Sequence, residues 1–254
     1  MHSLLKSLVK PLLKRLGYAA LNARDYYSSD GFFTPHQPRF LKDSRFQAAY
    51  RRGIEAGRGV DPNFEWRAHI ALWAASRALQ ARGDFVECGV NAGFLSSAIL
   101  QYLNWESTGR KFYLIDTFAG PPLEQYSSQE IQQGRDQVAR DALASGAYVT
   151  DLARVRSNFS QWPNAQVIQG QVPRVLPELS LSQVSFVHLD LNSAAPECAA
   201  LEFFWPLLSD RGLILLDDYA YFRSSPQGDA LDAVATQLGF EILSLPTGQG
   251  LILK

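Results

Sequence analysis

Three aspartates stand at the ends of apolar runs, where carboxylates can do chemistry. Asp190 closes "FVHLD", and Asp217 and Asp218 stand side by side at the end of "GLILLDD". Runs of this kind read as buried strands, so the acids fall where a strand leaves the core. Crowded like charges raise each other's proton affinity unless a cation or a shared proton compensates them. Hard oxygen donors at this density suit Mg²⁺ or Mn²⁺, and Asn192, just past Asp190, offers a further oxygen. The alternative is local: an aspartate after a strand often caps the next helix or stays solvated.

A second group surrounds "FVECGVNAGF". Gly89 and Gly93 fall at a strand-to-helix turn, where a missing Cβ lets backbone approach a ligand or lets helix and strand pack closely. Glu87 precedes them. Asp116 ends the next apolar run, "KFYLID", 27 residues after Gly89. From there a carboxylate accepts both hydroxyls of a ribose, as in NAD and S-adenosylmethionine (SAM) sites alike. "GVNAG" lacks the third glycine of G-x-G-x-x-G, so on its own it also reads as an ordinary tight turn.

To position these residues the chain must alternate strands and helices. Strand candidates are "DFVECG", "KFYLID", "AQVIQG", "VSFVHLDL" and "GLILLDD", with helices expected over 94–103, 129–144, 196–207 and 227–238 and a short turn near 172–176. "FEILSL" and "GLILK" are joined only by "PTGQ", too short for a crossover, so they form an antiparallel hairpin. The predicted fold is α/β: a doubly wound, mostly parallel seven-stranded sheet with an antiparallel C-terminal hairpin, the Rossmann-like class I methyltransferase topology. A nicotinamide-binding domain would continue with another crossover. In such a sheet the carboxyl ends of adjacent strands face one crevice, which gathers the three aspartates.

With 254 residues, 46% of them hydrophobic, the chain can bury one large core. The expected division is an N-terminal helical and lid region, 1–83, and a catalytic domain, 84–254. A net charge of -1 offers no nucleic-acid footprint. Two cysteines without zinc or disulfide spacing fit a reducing cytoplasm, and no stretch is apolar enough for a membrane span. In "MHSLLKSLVKPLLKRLGY" apolar residues from Leu4 to Leu16 oppose a basic face. This segment either lies on a membrane surface, making the chain membrane-peripheral, or packs on its own domain or a partner in a homo-oligomer, with Pro11 interrupting the helix.

Two segments read as covers for the crevice: "DYYSSDGFFTPHQPRF" and the long connection between the second and third strands. Tyr126, Tyr148 and Trp162 in that connection either line an acceptor pocket or pack. Of the histidines, His188 shares a strand with Asp190, His69 sits on an aromatic helix face, and His36 lies in a loop from which it could act as a general base.

"FVECGVNAG", "FYLIDTFAGPP", "VIQGQVPRVLPEL" and the run from "FVHLDLN" through "AALEFFWPLLSDRGLILLDDY" resemble the macrocin O-methyltransferase family, SAM-dependent enzymes that methylate sugar hydroxyls of natural products. The resemblance covers about Asp84 to the C-terminus. It implies SAM contact at Glu87, Gly89 and Asp116, with Asn91, Gly93 and Thr117 in the same turns and Gly170 and Gln171 near the adenine. It also implies Mg²⁺ or Mn²⁺ ligation by Asp190, Asp217 and Asp218, and a sugar or glycoside as the small-molecule acceptor. The chain departs from the family pattern at "LNSAAPECAA", which is small and nearly neutral, and no lysine lies near Asp190. The base is then expected to be a carboxylate such as Asp190, or a histidine such as His36. Alternatives are a metal-independent methyltransferase, a nicotinamide oxidoreductase, and a non-catalytic SAM-binding protein of a glycan-assembly system.

Overall fold

The computed structural model describes residues 26–221 and 225–254, together with Arg15. Apart from Arg15, the amphipathic segment 4–16 lies outside the described residues. Among the described residues no helix is long and apolar enough to cross a membrane.

The described chain opens with a hairpin, β1 (Tyr27–Ser29) and β2 (Phe32–Thr34), and two helices, α1 (Ser44–Ala56) and α2 (Glu65–Ala78). Then follow β3 (Asp84–Cys88), α3 (Phe94–Leu103), β4 (Phe112–Asp116), α4 (Ser128–Gln132), α5 (Arg135–Ala144), α6 (Leu152–Phe159) and β5 (Ala165–Gln169). The last part is β6 (Val184–Leu189), α7 (Ala194–Leu207), β7 (Leu208–Leu216), α8 (Ser225–Leu238), β8 (Leu243–Ser244) and β9 (Gly250–Leu253). Strands β3 to β9 form one seven-stranded sheet in the order β5-β4-β3-β6-β7-β9-β8. The first five run parallel, and β9 is antiparallel to both β7 and β8. The α/β fold with its C-terminal hairpin is the one the sequence predicts.

Alternation along the strands divides the core. Phe85, Leu114, Phe186 and Leu215 pack with α1, α2 and α3, whereas Val86, Ile115, Val187 and Leu216 pack with α7 and α8. Side chains two apart share a face of a strand, so a single apolar run supplies both cores. Each fully buried Phe or Leu contributes roughly 1.5–3 kcal/mol. The described part of region 1–83 therefore belongs to the same core as the front of the sheet.

Three elements differ from the sequence reading, each for a local reason. The helix expected over 129–144 is two helices, because Gly134 sits at φ 76 between α4 and α5. Strand β7 starts at Leu208, before the predicted Gly212, and absorbs Arg211 at φ 66. The segment read as a cover carries the β1–β2 hairpin, turned by Asp30 and Gly31 at φ 48 and 71. Asp-Gly between strand formers is a strong short-range hairpin signal.

The crevice opens where the sheet order reverses, between the carboxyl ends of β3 and β6. Gly89 lies at φ 94, and a Cβ on it would overlap the carbonyl oxygen of Asp190. Gly89→Ala is therefore expected to destabilise the fold by at least about 2 kcal/mol, through left-handed strain and displacement of β6. Urea unfolding measures this, and wild-type stability would refute the close approach of the two strand ends.

Candidate active site

Two cavities meet at these strand ends. A narrow crevice is lined by Ile115, Asp116, Thr117, Pro122, Gly170 and Val172. A larger cavity of about 580 Å³ is lined by Phe64, Arg67, Glu87, His188, Asp217 and Asp218, among others. Gly89, Asn91, Tyr148, Val149, Asp190 and Asn192 line both.

In the narrow crevice Asp116 is fixed by backbone amides: Oδ2 accepts from Asn91 N and Oδ1 from Phe118 N, each at 2.8 Å. Asn91 uses its side chain to hold the β4–β5 connection, donating to Ala147 O at 3.0 Å and accepting from Val149 N at 2.8 Å. Thr117 Oγ1 donates to Gly120 O at 2.8 Å, and Gly170 N–H donates to Asp116 O at 2.9 Å. Three residues predicted with this group do not line the narrow crevice itself. A Cβ on Gly93 would lie 2.5 Å from Phe159 Cζ, so that glycine serves helix packing. Gln171 Nε2 donates to Glu124 Oε1 at 3.0 Å, and Gln171 lines an adjoining pocket with Thr117, Pro122 and Gly170. Glu87 lines the larger cavity and is 2% exposed, its Oε1 lying 3.0 Å from His188 Nδ1.

The aspartates take three different environments. Asp217 Oδ2 accepts from Arg67 Nη1, while its Oδ1 accepts from Gln249 Nε2 at 2.9 Å and lies 3.5 Å from His188 Nε2. Burial opposes its charge, but Arg67 and then His188 outweigh burial and hold its pKa well below the usual carboxylate range. Asp218 is pushed up to about 6 by burial and by the charge of Asp217; Arg135 Nη2 stands 3.6 Å from its Oδ2. Asp190 is raised well above its ordinary value by burial, then by Asp217 and Asp218, and its Oδ1 accepts from Asn192 Nδ2 at 3.0 Å.

Among the described residues, no group of three or more His, Cys, Asp or Glu is arranged to hold a metal ion. Asp217 does not fit as a ligand, because both of its oxygens already face protein cations or an amide. Asp190 and Asp218 both line the larger cavity as oxygen donors of the type a hard divalent cation takes, and burial first, then neighbouring carboxylates, raises the proton affinity of each.

Arg67, Arg135 and Gln249 escaped the sequence reading. Arg67 is buried on α2, its Nε donating to Asp30 Oδ2 at 2.8 Å and its guanidinium 4.5 Å above the Tyr221 ring. Its signal was present: residue 67 shares a helical stripe with the buried Ala71, Ala74 and Ala78, a place where a charged side chain requires a partner. His36 is exposed, its backbone N–H on Thr34 Oγ1 at 3.1 Å, and it lines neither cavity; the structure does not bring it to the site. His69 stacks on Phe40 at 4.0 Å. Tyr148 lines both cavities, whereas the buried Tyr126 and Trp162 line neither.

Burial alone would discharge His188, but hydrogen bonding to Asp217 and Glu87 raises it to about 10. A folded value above the ordinary 6.5 means that its stabilisation is complete below about 6.5 and is lost as pH rises through about 10. His188→Gln is expected to cost about 3 kcal/mol at pH 7, the order found on breaking a buried ion pair, with the gap to wild type closing above pH 10. Denaturant unfolding across this range checks it; a constant gap would mean a ring that stays neutral throughout.

The chain matches the family described as "Methyltransferase domain" over residues 86–219. A relative from Streptomyces olivaceus, 8-demethyl-8-(2,3-dimethoxy-alpha-L-rhamnosyl)-tetracenomycin-C 4'-O-methyltransferase, is 28% identical over 143 residues, 54% of this chain and 53% of its own. The chain thus spans about half the length of the curated relative it matches. Among solved structures, the O-methyltransferase NovP is similar with a TM-score of 0.63 at 18% identity, over 74% of this chain and 79% of its own. CalS11, a calicheamicin methyltransferase, is similar with a TM-score of 0.53 at 16% identity, over 92% and 97%. At these identities the two share a fold with the chain. The family match covers more than half of its length, and on that ground the chain belongs to the methyltransferase domain family.

Proposed function

We propose that this chain is a SAM-dependent O-methyltransferase that methylates a hydroxyl of a sugar or of a glycosylated small molecule. The observation that carries the reading is Asp190, a carboxylate of raised proton affinity at the junction of two cavities. The narrow crevice fits a ribosyl cofactor. Asp116 is held by two amides yet keeps lone pairs for ribose hydroxyls, Gly89 presents bare backbone, and Ile115, Pro122 and Val172 offer apolar contact to a purine. The larger cavity then takes the acceptor, with Phe64 and Phe94 on its wall and the acidic residues on its floor. A sugar hydroxyl as acceptor is supported by the rhamnosyl group in the name of the Streptomyces relative and by the motifs resembling the macrocin family.

In the reaction the hydroxyl oxygen attacks the methyl carbon, the carbon–sulfur bond of the sulfonium breaks, and the hydroxyl proton passes to a base. Asp190 is that base: burial and the charges of Asp217 and Asp218 raise its affinity for a proton, and Asn192 fixes one of its oxygens. Juxtaposition of the reacting groups supplies much of the acceleration. Mg²⁺ bound by Asp190 and Asp218 would supply positive charge that makes an acceptor hydroxyl easier to deprotonate, and it would lower the proton affinity of Asp190 at the same time, so that a more acidic hydroxyl would meet a weaker base. Asp217 holds Arg67 and His188 in place in the lining of the larger cavity.

Incubation with SAM and a panel of glycosides, read by mass spectrometry as the gain of one CH₂, tests the reading; no product from any glycoside would sink it. Asp116→Ala is expected to weaken SAM binding by about 2 kcal/mol, measured by calorimetry. Asp190→Asn should lower turnover by about 100-fold or more with SAM binding retained. Activity should disappear in EDTA and return with Mg²⁺ or Mn²⁺. Full activity in chelator would remove the cation and leave Asp190 to act alone.

A further inference from the structure

The connection between β4 and β5 is fastened to the segment that follows β6 by two side chains, Arg135 and Glu130. Arg135, the first residue of α5, donates from Nη2 to Asn192 O at 3.0 Å and to Gln227 Oε1 at 3.4 Å. Its contact with Asp218 Oδ2 is longer, at 3.6 Å. Nearby, Glu130 of α4 is 2% exposed and accepts from Ala194 N at 2.8 Å through Oε1 and from Ser127 N at 2.7 Å through Oε2. Helices α4 and α5 thus grip the loop on both sides of Ser193.

Between those grips stands Asn192, at φ 61, whose Nδ2 donates to Asp190 Oδ1 at 3.0 Å. A left-handed conformation costs a non-glycine residue on the order of 1 kcal/mol or more and persists only where its surroundings fix it. Here the fixing contact is the carbonyl bond to Arg135. With that carbonyl held, the Asn192 side chain is directed back onto Asp190. Arg135 itself lines neither cavity, so it reaches the site through this loop and through its longer contact with Asp218.

We infer that Arg135 is a positioning residue, which acts through the Asn192 backbone to hold the Asp190 carboxylate at the junction of the two cavities. The inference rests on the O-methyltransferase reading. Charge compensation of Asp218 is the competing role, and the two differ in what lysine can replace. A lysine keeps the positive charge but not the planar fork that meets several acceptors in fixed directions.

The test is a mutant cycle on the full chain, with SAM and a glycoside that the wild type methylates. Arg135→Gln is expected to lower kcat by about tenfold or more, with SAM affinity within about twofold of wild type. Asn192→Ala should lower kcat by a similar factor. Acting through one loop, the two changes should not multiply: the double variant should lose little more than the worse single variant. Arg135→Lys should remain closer to Arg135→Gln than to wild type, and it serves in the cycle if Arg135→Gln does not fold. Losses that multiply, a kcat unchanged in Arg135→Gln, or full recovery in Arg135→Lys would each overturn the positioning role while leaving the methyltransferase reading intact. A wild-type chain that binds SAM but methylates no glycoside would overturn both.

Discussion

A buried row of alternating charge joins the sheet to the elements in front of it. Glu87 on β3 meets His188 on β6, His188 meets Asp217 at the end of β7, Asp217 meets Arg67 on α2, and Arg67 meets Asp30 in the β1–β2 turn. Each of these charges would cost several kcal/mol to bury alone. In sequence they are separated by as many as 187 positions, as between Asp30 and Asp217, and only this fold brings them into line. Such a row adds little net stability over a packed apolar core of the same volume. Its effect is on register, since a one-residue slip of β6 would turn His188 away from both carboxylates. The hairpin, whose tip enters the wall of the larger cavity, takes its position from the last member of the row.

The same contacts explain why one cavity lies beside the other. Gly89 lets the β3 turn approach the carbonyl of Asp190, which places the end of β6 against the crevice that Asp116 borders. Asp116 draws the amides of Asn91 and Phe118 inward, and Asn91 in turn holds the backbone around Tyr148. The β4–β5 connection is therefore anchored at its far end on the turn beside Asp116 and, through Glu130 and Arg135, on the loop beside Asp190. A segment that reads as a cover in the sequence is built as a bridge between the two halves of the site.

The sheet was legible because its evidence is local. A strand two-sided in the core must be apolar throughout, and a four-residue link between two strands leaves only a hairpin. The positions of Gly89, Asp116 and Asp190 were legible for the same reason, since strand ends converge in this topology. What could not be read was which cation answers which acid. Arg67 lies 150 positions from Asp217, and Arg135 lies 83 from Asp218. Neither pairing leaves a mark in local spacing, although a lone arginine on an alanine-lined stripe marks a buried charge in search of a partner. His36 was misjudged because a loop position carries no information on which side of the hairpin it emerges. Gly93 could not be assigned to ligand approach or to packing from sequence, because both ask the same thing of a glycine.

Three aspartates of one residue type, crowded at adjacent strand ends, are made unequal by their neighbours. Asp217 has two cations and an amide against its oxygens and stays ionised at any ordinary pH. Its fixed negative charge then acts on the other two. Asp218, with one guanidinium at 3.6 Å, is held near 6, and Asp190, hydrogen-bonded by the Asn192 amide, is raised well above its ordinary value because burial and two carboxylates outweigh the charges of His188 and Arg67. A base must take a proton readily, and a structural anion must not. In the proposed reaction the distribution of Arg67, His188 and Arg135 would divide those opposite demands among the members of one cluster, with the base falling to Asp190, which lines both cavities.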